Sequence, residues 1–206
     1  MDQRSDEWFE ARRGKITASK IADVMMKKTT AGYRNYRAQL MCERLTGQVT
    51  ESFSNAAMQW GTDTEPQARA AYEFYSGLEV VEIGFVDHPS IENTGASPDG
   101  LVADDGMIEI KCPNTATHLE TLLGGPIPSK YYDQMQWQME CAGRQWCDFV
   151  SFDPRLPEAM QMFVQRVDCD EARLIEITVG VATLLDQIES DITELRAKYE
   201  PQAEAA

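Results

Sequence analysis

The sequence predicts a mixed α/β protein in which a central mixed β-sheet is flanked by helices. Two apolar rhythms lead there. Period-two alternation and short apolar runs mark strands at 78–88, within 95–113, at 147–154 and at 160–167. Apolar residues at three- and four-residue intervals mark helices over 55–76, 129–143 and 170–199. A third observation bounds the size. With 206 residues and 43% hydrophobic content, the chain buries one sizeable core, so residues 1–200 are expected as a single domain and 201–206 as a flexible tail.

Each element has a local reason. Ser5 followed by Asp6 and Glu7 is an N-cap with acids in the first turn, giving a short helix over 5–13 that ends near Gly14. Residues 16–25, ITASKIADVM, read as a second helix capped by Thr17 or Ser19, and KKTTAGYRNYR opens a third that runs to about Thr46. Within 55–76, Pro66 lacks an N–H and clashes one turn back, so a bend or restart is expected around Thr64-Glu65, with Glu65 facing inward. Residues 78–88 read as strand. Asp105-Gly106 suits a two-residue hairpin turn between Leu101-Val102 and Met107-Ile108. GGPIPS is a loop before the 129–143 helix, and the strands at 147–154 and 160–167 complete the sheet. Over 170–199, Leu174, Ile177, Val181, Leu184, Ile188, Ile192 and Leu195 form a packing stripe, with a subunit interface as the second reading.

The hairpin carries the chemistry. Alternation puts Glu109 and Lys111 on one face with Met107, and Ile108 and Ile110 on the other. Asp99 precedes the first strand, within reach of Glu109 across the hairpin. The bland reading is a solvated Glu-Lys pair worth well under ~1 kcal/mol. The sharper one is a hard-cation site, because Mg²⁺ is held by one or two carboxylates with substrate phosphate and water, and Lys111 then orients or activates the attacking water. On the 129–143 helix, Tyr131, Gln134 and Gln138 form a polar stripe beside an apolar one of Tyr132, Met135 and Met139. That polar stripe either faces solvent or meets the carboxylates.

Charge argues the other way. Nineteen Lys and Arg against 34 Asp and Glu give 19 − 34 = −15, where a DNA-binding domain is expected to be basic. Affinity follows local potential, however, and bound cations add positive charge where acids cluster. Lys27, Lys28 and Arg34, near Tyr33 and Tyr36, are the candidates for touching a phosphate backbone; a solvated face is the alternative. Five cysteines without a CxxC pair are read as reduced thiols, and His88 and His118 lie too far apart in sequence for a histidine-rich metal site. No apolar run reaches ~18 residues, and the N-terminus lacks a signal-like stretch, so a soluble intracellular protein without a membrane partner is expected.

Written as PD-x9-ExK, the pattern from Pro98 to Lys111 resembles the signature of the PD-(D/E)xK nucleases, which have a restriction-endonuclease-like core. WFEARRGKITASKI, WGTDTEPQAR, SPDG, IEIKCP, YYDQMQWQM and DPR follow in the order seen in the lambda exonuclease-like family, also called YqaJ-type viral recombinases. The resemblance spans most of residues 8–155. It implies a phage or prophage exonuclease that degrades one strand of double-stranded DNA 5′→3′ from 5′-phosphorylated ends. Mononucleotides are released, and the 3′ overhang is left for a single-strand annealing protein in the cytoplasm of a bacterial host. It further implies a ring-shaped homotrimer and Mg²⁺, two ions per site, with Mn²⁺ as a substitute. Carried over by residue, it gives Asp99, Glu109, Glu65 and the Ile110 carbonyl to the metal, Lys111 to the water and Tyr131 to the active site. Arg12, Ser19, Ser97 and Gln134 go to the terminal 5′ phosphate. Two departures stand out: the basic loop at 27–34 is shorter than in the type member, and Pro66 has no counterpart there. The alternatives are an endonuclease of the same superfamily, restriction-type or junction-cleaving, and a non-enzymatic acidic DNA mimic or adaptor.

Overall fold

The structure, a computed structural model, describes residues 2–50 and 55–200; the expected tail at 201–206 lies outside the described residues. Helix α1 (Asp6–Arg12) starts at Ser5, whose hydroxyl accepts a hydrogen bond from the Trp8 N–H. The chain then departs from expectation. Ile16–Thr17 is not helical but forms strand β1, followed by a 3-10 turn at Ala18–Lys20 and the short helix α2 (Ile21–Val24). Ile16 is fully buried and pairs in parallel with Thr94, so a partner 78 residues away overrides the local helical rhythm.

Helix α3 (Ala31–Thr46) is capped by Thr30 and closed by Gly47 at φ 67°. Helix α4 (Ala56–Ser76) runs through Pro66 as one element, in place of the expected restart. Only the intrahelical bond to the Thr62 carbonyl is forfeited. Packing of Ala68 and Tyr72, both fully buried, against the sheet holds the helix together across that gap.

The segment expected as one strand at 78–88 splits into β2 (Val80–Val81) and β3 (Val86–Asp87), which join different sheets. Next come β4 (Thr94–Ala96), β5 (Gly100–Val102), β6 (Gly106–Lys111) and α5 (Thr115–Leu122), a helix capped by Asn114 that the sequence reading does not include. The chain continues with α6 (Ser129–Ala142), β7 (Trp146–Phe152), β8 (Met162–Asp168) and α7 (Glu171–Tyr199). A five-stranded sheet has the order β2-β5-β6-β7-β8, parallel only between β6 and β7, and a small sheet has the order β1-β4-β3. The mixed sheet flanked by helices is as the sequence predicts.

The β5–β6 turn differs in detail. Val102 pairs with Gly106, so residues 103–105 form the loop and Ala103, at φ 50°, takes the left-handed position. Gly106 serves packing instead: a Cβ there would lie 2.0 Å from the Trp146 ring. Strand β6 is covered on both faces. Ile108 and Ile110 pack with Ala68 and Tyr72 of α4, while Met107 packs with Met135 and Met139 of α6. Six residues of the α7 stripe, Leu174 through Ile192, are buried against α2 and α3, and Leu195 falls off its end at 37% exposure.

Candidate active site

The covered hairpin rules out a solvated strand face. Glu109 has no solvent exposure, yet it lies at the mouth end of β6 beside half-buried Asp99 and Lys111. Asp99 sits between β4 and β5 and reaches across to its neighbouring strand, where the Ile110 N–H donates to Asp99 Oδ2 at 2.7 Å. Helix α6 turns its polar stripe to the same place. Gln134 Nε2 donates to Glu109 Oε1 at 2.6 Å and Gln138 Nε2 to Glu109 Oε2 at 2.8 Å. The Lys111 ammonium pairs with Glu109 and lies 4.9 Å from the centre of the Tyr131 ring, which stacks in turn on Phe149.

Glu65 approaches from α4. Its carboxylate is held by two arginines, Arg69 Nη2 at 2.8 Å from Oε1 and Arg4 Nη2 at 2.9 Å from Oε2. The electrostatics follow from this crowding. Burial, then the charge of Glu109 and that of Glu65, push the Asp99 carboxyl well above the ordinary range, and the opposing pull of Lys111 and the Ile110 N–H does not cancel them. Burial works against the Lys111 charge, but Glu109 and Asp99 outweigh it and hold the ammonium form.

Lys111 pairs with Glu109 and both arginines pair with Glu65, so among the described residues the Asp99 carboxyl is the one of these three acids left without an ion pair, and positive charge is lacking there. Divalent cations with a preference for oxygen suit that deficit, and the donor set of Asp99, Glu109 and a strand carbonyl fits Mg²⁺. Among the described residues, no group of three or more acid, histidine or cysteine side chains is placed to hold a metal ion. Two carboxylates and a carbonyl do not fill the shell of such a cation, so substrate phosphate and water would have to supply the other oxygens.

Two residues before Asp99, the same segment builds a second feature. Ser97 Oγ accepts from Arg12 Nη1 at 3.1 Å and from Trp8 Nε1 at 2.9 Å, and the Arg12 guanidinium stacks 4.0 Å from the Trp8 ring centre. The cavity alongside, about 330 Å³, is lined by Arg12, Lys15, Ser19 and Lys20 together with Trp8 and Tyr36. Burial lowers Arg12 to about 10, against the opposing influence of Tyr36 and Glu43, so the guanidinium is poorly hydrated.

The structure therefore brings Asp99, Glu109, Lys111, Ile110 and Tyr131 together, with Glu65 at their edge. It brings Arg12, Ser97 and Ser19 together at the second feature. Gln134 is grouped with Glu109 and not with Arg12; its neighbour Gln138 makes the bridge, donating also to the Ser97 carbonyl at 3.4 Å. Lys27, Lys28 and Arg34 are exposed on and after the loop that enters α3. Sequence reasoning missed Arg69, Arg4 and Trp8. Arg69 stands four residues after Glu65 and Trp8 four before Arg12, spacings that put each pair on one helical face. No comparable signal pointed to Arg4.

Comparison with known proteins gives this geometry a family. The YqaJ-like viral recombinase domain matches residues 7–145. LHK-Exo, an alkaline exonuclease from Laribacter hongkongensis, superposes with a TM-score of 0.89 at 52% identity over 94% of this chain and 97% of its own. Its complex with dAMP gives the same TM-score at 54% identity and the same coverage. A phage related exonuclease from Haemophilus somnus shares the fold, with a TM-score of 0.68 at 16% identity over 91% of this chain and 99% of its own. An uncharacterized protein of Acanthamoeba polyphaga mimivirus is 26% identical over 162 residues, 72% of this chain; the chain spans only 29% of that protein's length. The chain belongs to the family of the YqaJ-like viral recombinase domain.

Proposed function

We propose that the chain is a Mg²⁺-dependent exonuclease that digests duplex DNA 5′→3′ from 5′-phosphorylated ends and leaves 3′ overhangs for strand annealing. The observation that carries the reading is the hydrogen bond from the Ile110 N–H to Asp99, which sets Asp99, Glu109 and Lys111 at one end of the hairpin. Membership of a recombinase family and 54% identity to an alkaline exonuclease support deoxyribonuclease activity. A complex of that relative with dAMP supports mononucleotides as products.

Asp99 and Glu109, with the Ile110 carbonyl, would hold Mg²⁺, two ions with Glu65 recruited, and Mn²⁺ fits the same oxygens. When bound, such cations neutralise the charge of the phosphodiester and stabilise the leaving oxygen. The chain's own residues do the rest. Gln134 and Gln138 fix both oxygens of Glu109, so its carboxylate does not rotate. Lys111 Nζ would orient the attacking water by hydrogen bonding, and the Tyr131 ring lies against that ammonium. Arg12, Ser97 and Ser19 receive the terminal phosphate, which carries more charge than an internal one and suits a guanidinium fork.

The same reading includes a homotrimeric ring around DNA, an annealing-protein partner and action in the bacterial cytoplasm. Among the described residues, no helix is long and apolar enough to cross a membrane. An acidic DNA mimic is disfavoured, because it needs acids spread over a surface, whereas here Glu109 is wholly buried among amide donors. The deciding experiment offers linear and covalently closed circular duplex to the protein with Mg²⁺ or with a chelator. The expected result is digestion of the linear form alone, and only with Mg²⁺. Cleavage of the circle would make the protein an endonuclease, and survival of both forms would favour the mimic.

A further inference from the structure

The geometry points to Arg69 as a positioning residue that holds Glu65 against the Asp99 segment and so completes the cation site. This assignment rests on the metal-dependent nuclease reading. Arg69 is not an ordinary helix-surface ion pair. Its side chain is 12% exposed and that of Glu65 16%, and its fork reaches three parts of the chain. Arg69 Nη2 donates to Glu65 Oε1 at 2.8 Å on α4 and to the Asp99 main-chain carbonyl at 3.4 Å. Arg69 Nη1 pairs with Glu82, between β2 and β3, at 2.8 Å. One guanidinium nitrogen thus ties the acid of α4 to the residue that presents the central carboxylate.

The need for such a tie is written in the sequence. Glu65 precedes Pro66, and a residue before proline is pushed away from helical backbone angles. Proline also removes one helical hydrogen bond at that turn. Helix α4 nevertheless runs on through Glu65 and Pro66, so Arg69, one turn on and on the same face, stands where an anchor for the Glu65 side chain is needed. Arg69 supplies that anchor together with a compensating charge, so that Glu65 can stand close to Asp99 at all. Arg4 holds the other oxygen from an exposed N-terminal position, and its side chain is 47% exposed. That ion pair is easily given up when Glu65 takes a cation.

Mn²⁺ titrated calorimetrically into the metal-free full chain tests this, alongside the Mg²⁺ concentration that half-activates digestion of linear duplex. Outer partners of metal ligands affect affinity by 10–100-fold, so Arg69→Gln should weaken Mn²⁺ binding about tenfold and raise the half-activating Mg²⁺ about as much. The rate at saturating Mg²⁺ should change far less. Because Arg69 acts through Glu65, Glu65→Gln should show a comparable loss, and adding Arg69→Gln to it should cost nothing further. Arg69→Lys keeps the charge but loses the shared fork, and should give a smaller shift, about threefold, at the wild-type thermal midpoint; it serves if Arg69→Gln folds poorly. Wild-type Mn²⁺ affinity in both Arg69 variants, or additive losses in the double variant, would overturn the assignment. A wild-type chain that neither binds Mn²⁺ nor digests DNA would instead overturn the nuclease reading on which it rests.

Discussion

At one end of the segment Ser97–Pro98–Asp99 a guanidinium is half-buried against an indole ring, and at the other a carboxyl is crowded by two more acids. Both groups are displaced from their ordinary acidity, and in opposite senses. Arg12 is lowered to about 10 because burial strips water from a cation, and Asp99 is raised because burial and like charges act on an anion. Under the proposed function, a phosphorylated DNA end would bring its terminal phosphate to the first of these groups and its counter-cation to the second. Ser97 holds Arg12 by a hydrogen bond and stands two residues from Asp99, so under the proposed function one short segment would set the spacing between end recognition and cleavage.

Breaking the acidic half should have the largest effect. Asp99→Asn keeps volume and removes charge, and digestion should fall by at least about a thousandfold, as expected when a ligand of a catalytic cation is removed. Stability should move the other way. A raised folded pKa means that the folded chain binds more protons than the unfolded one, so metal-free stability falls as pH rises above the unfolded value of about 3.9. Melting of metal-free Asp99→Asn at neutral pH should therefore show a midpoint at or above wild type, with that pH dependence reduced. Lys111→Ala should come next, losing about a hundredfold or more in rate while calorimetry shows Mn²⁺ still bound.

Breaking the basic half should have a more selective effect. Arg12→Ala should leave Mn²⁺ binding intact and erase most of the preference for 5′-phosphate over 5′-hydroxyl ends. A charged hydrogen bond contributes about 1.5–3 kcal/mol, so the ratio of rates on the two ends should drop about tenfold or more. An unchanged ratio would move the end pocket elsewhere. The smallest expected effect belongs to Lys27, Lys28 and Arg34. Neutralising all three should weaken DNA binding and flatten its salt slope by about 0.9 for each phosphate that is no longer neutralised, which a binding titration over a range of salt concentrations would show.

How far the site can be read from sequence depends on how locally it is built. Glu109 and Lys111 share a face because strands alternate, and Gln134 and Gln138 share one because helices repeat, so these positions are legible from spacing. The predicted polar stripe does meet the carboxylates. Pairings across long separations are not legible. Arg4 reaches Glu65 over 61 residues, and Gln3 of the same N-terminal segment reaches the Pro98 carbonyl over 95. The fold shows the same division. The mixed sheet, α4, α6 and α7 follow from periodicity. Ile16–Thr17 is strand through pairing with β4, and Gly106 is demanded by the Trp146 ring of the neighbouring strand. Pro66 does not break α4, because its local cost is offset by the burial of Ala68 and Tyr72 against the sheet.

The most direct test follows release of a label from linear duplex carrying 5′ phosphates, with the label at the 5′ or at the 3′ end and with Mg²⁺ or chelator present. Two half-sites joined at Ser97–Asp99 predict that the 5′ label leaves first as a mononucleotide, only with Mg²⁺, and more slowly when the end carries a hydroxyl. Early release of the 3′ label, or equal rates on phosphorylated and hydroxyl ends, would contradict a site in which Arg12 reads the end that Asp99 and Glu109 cut.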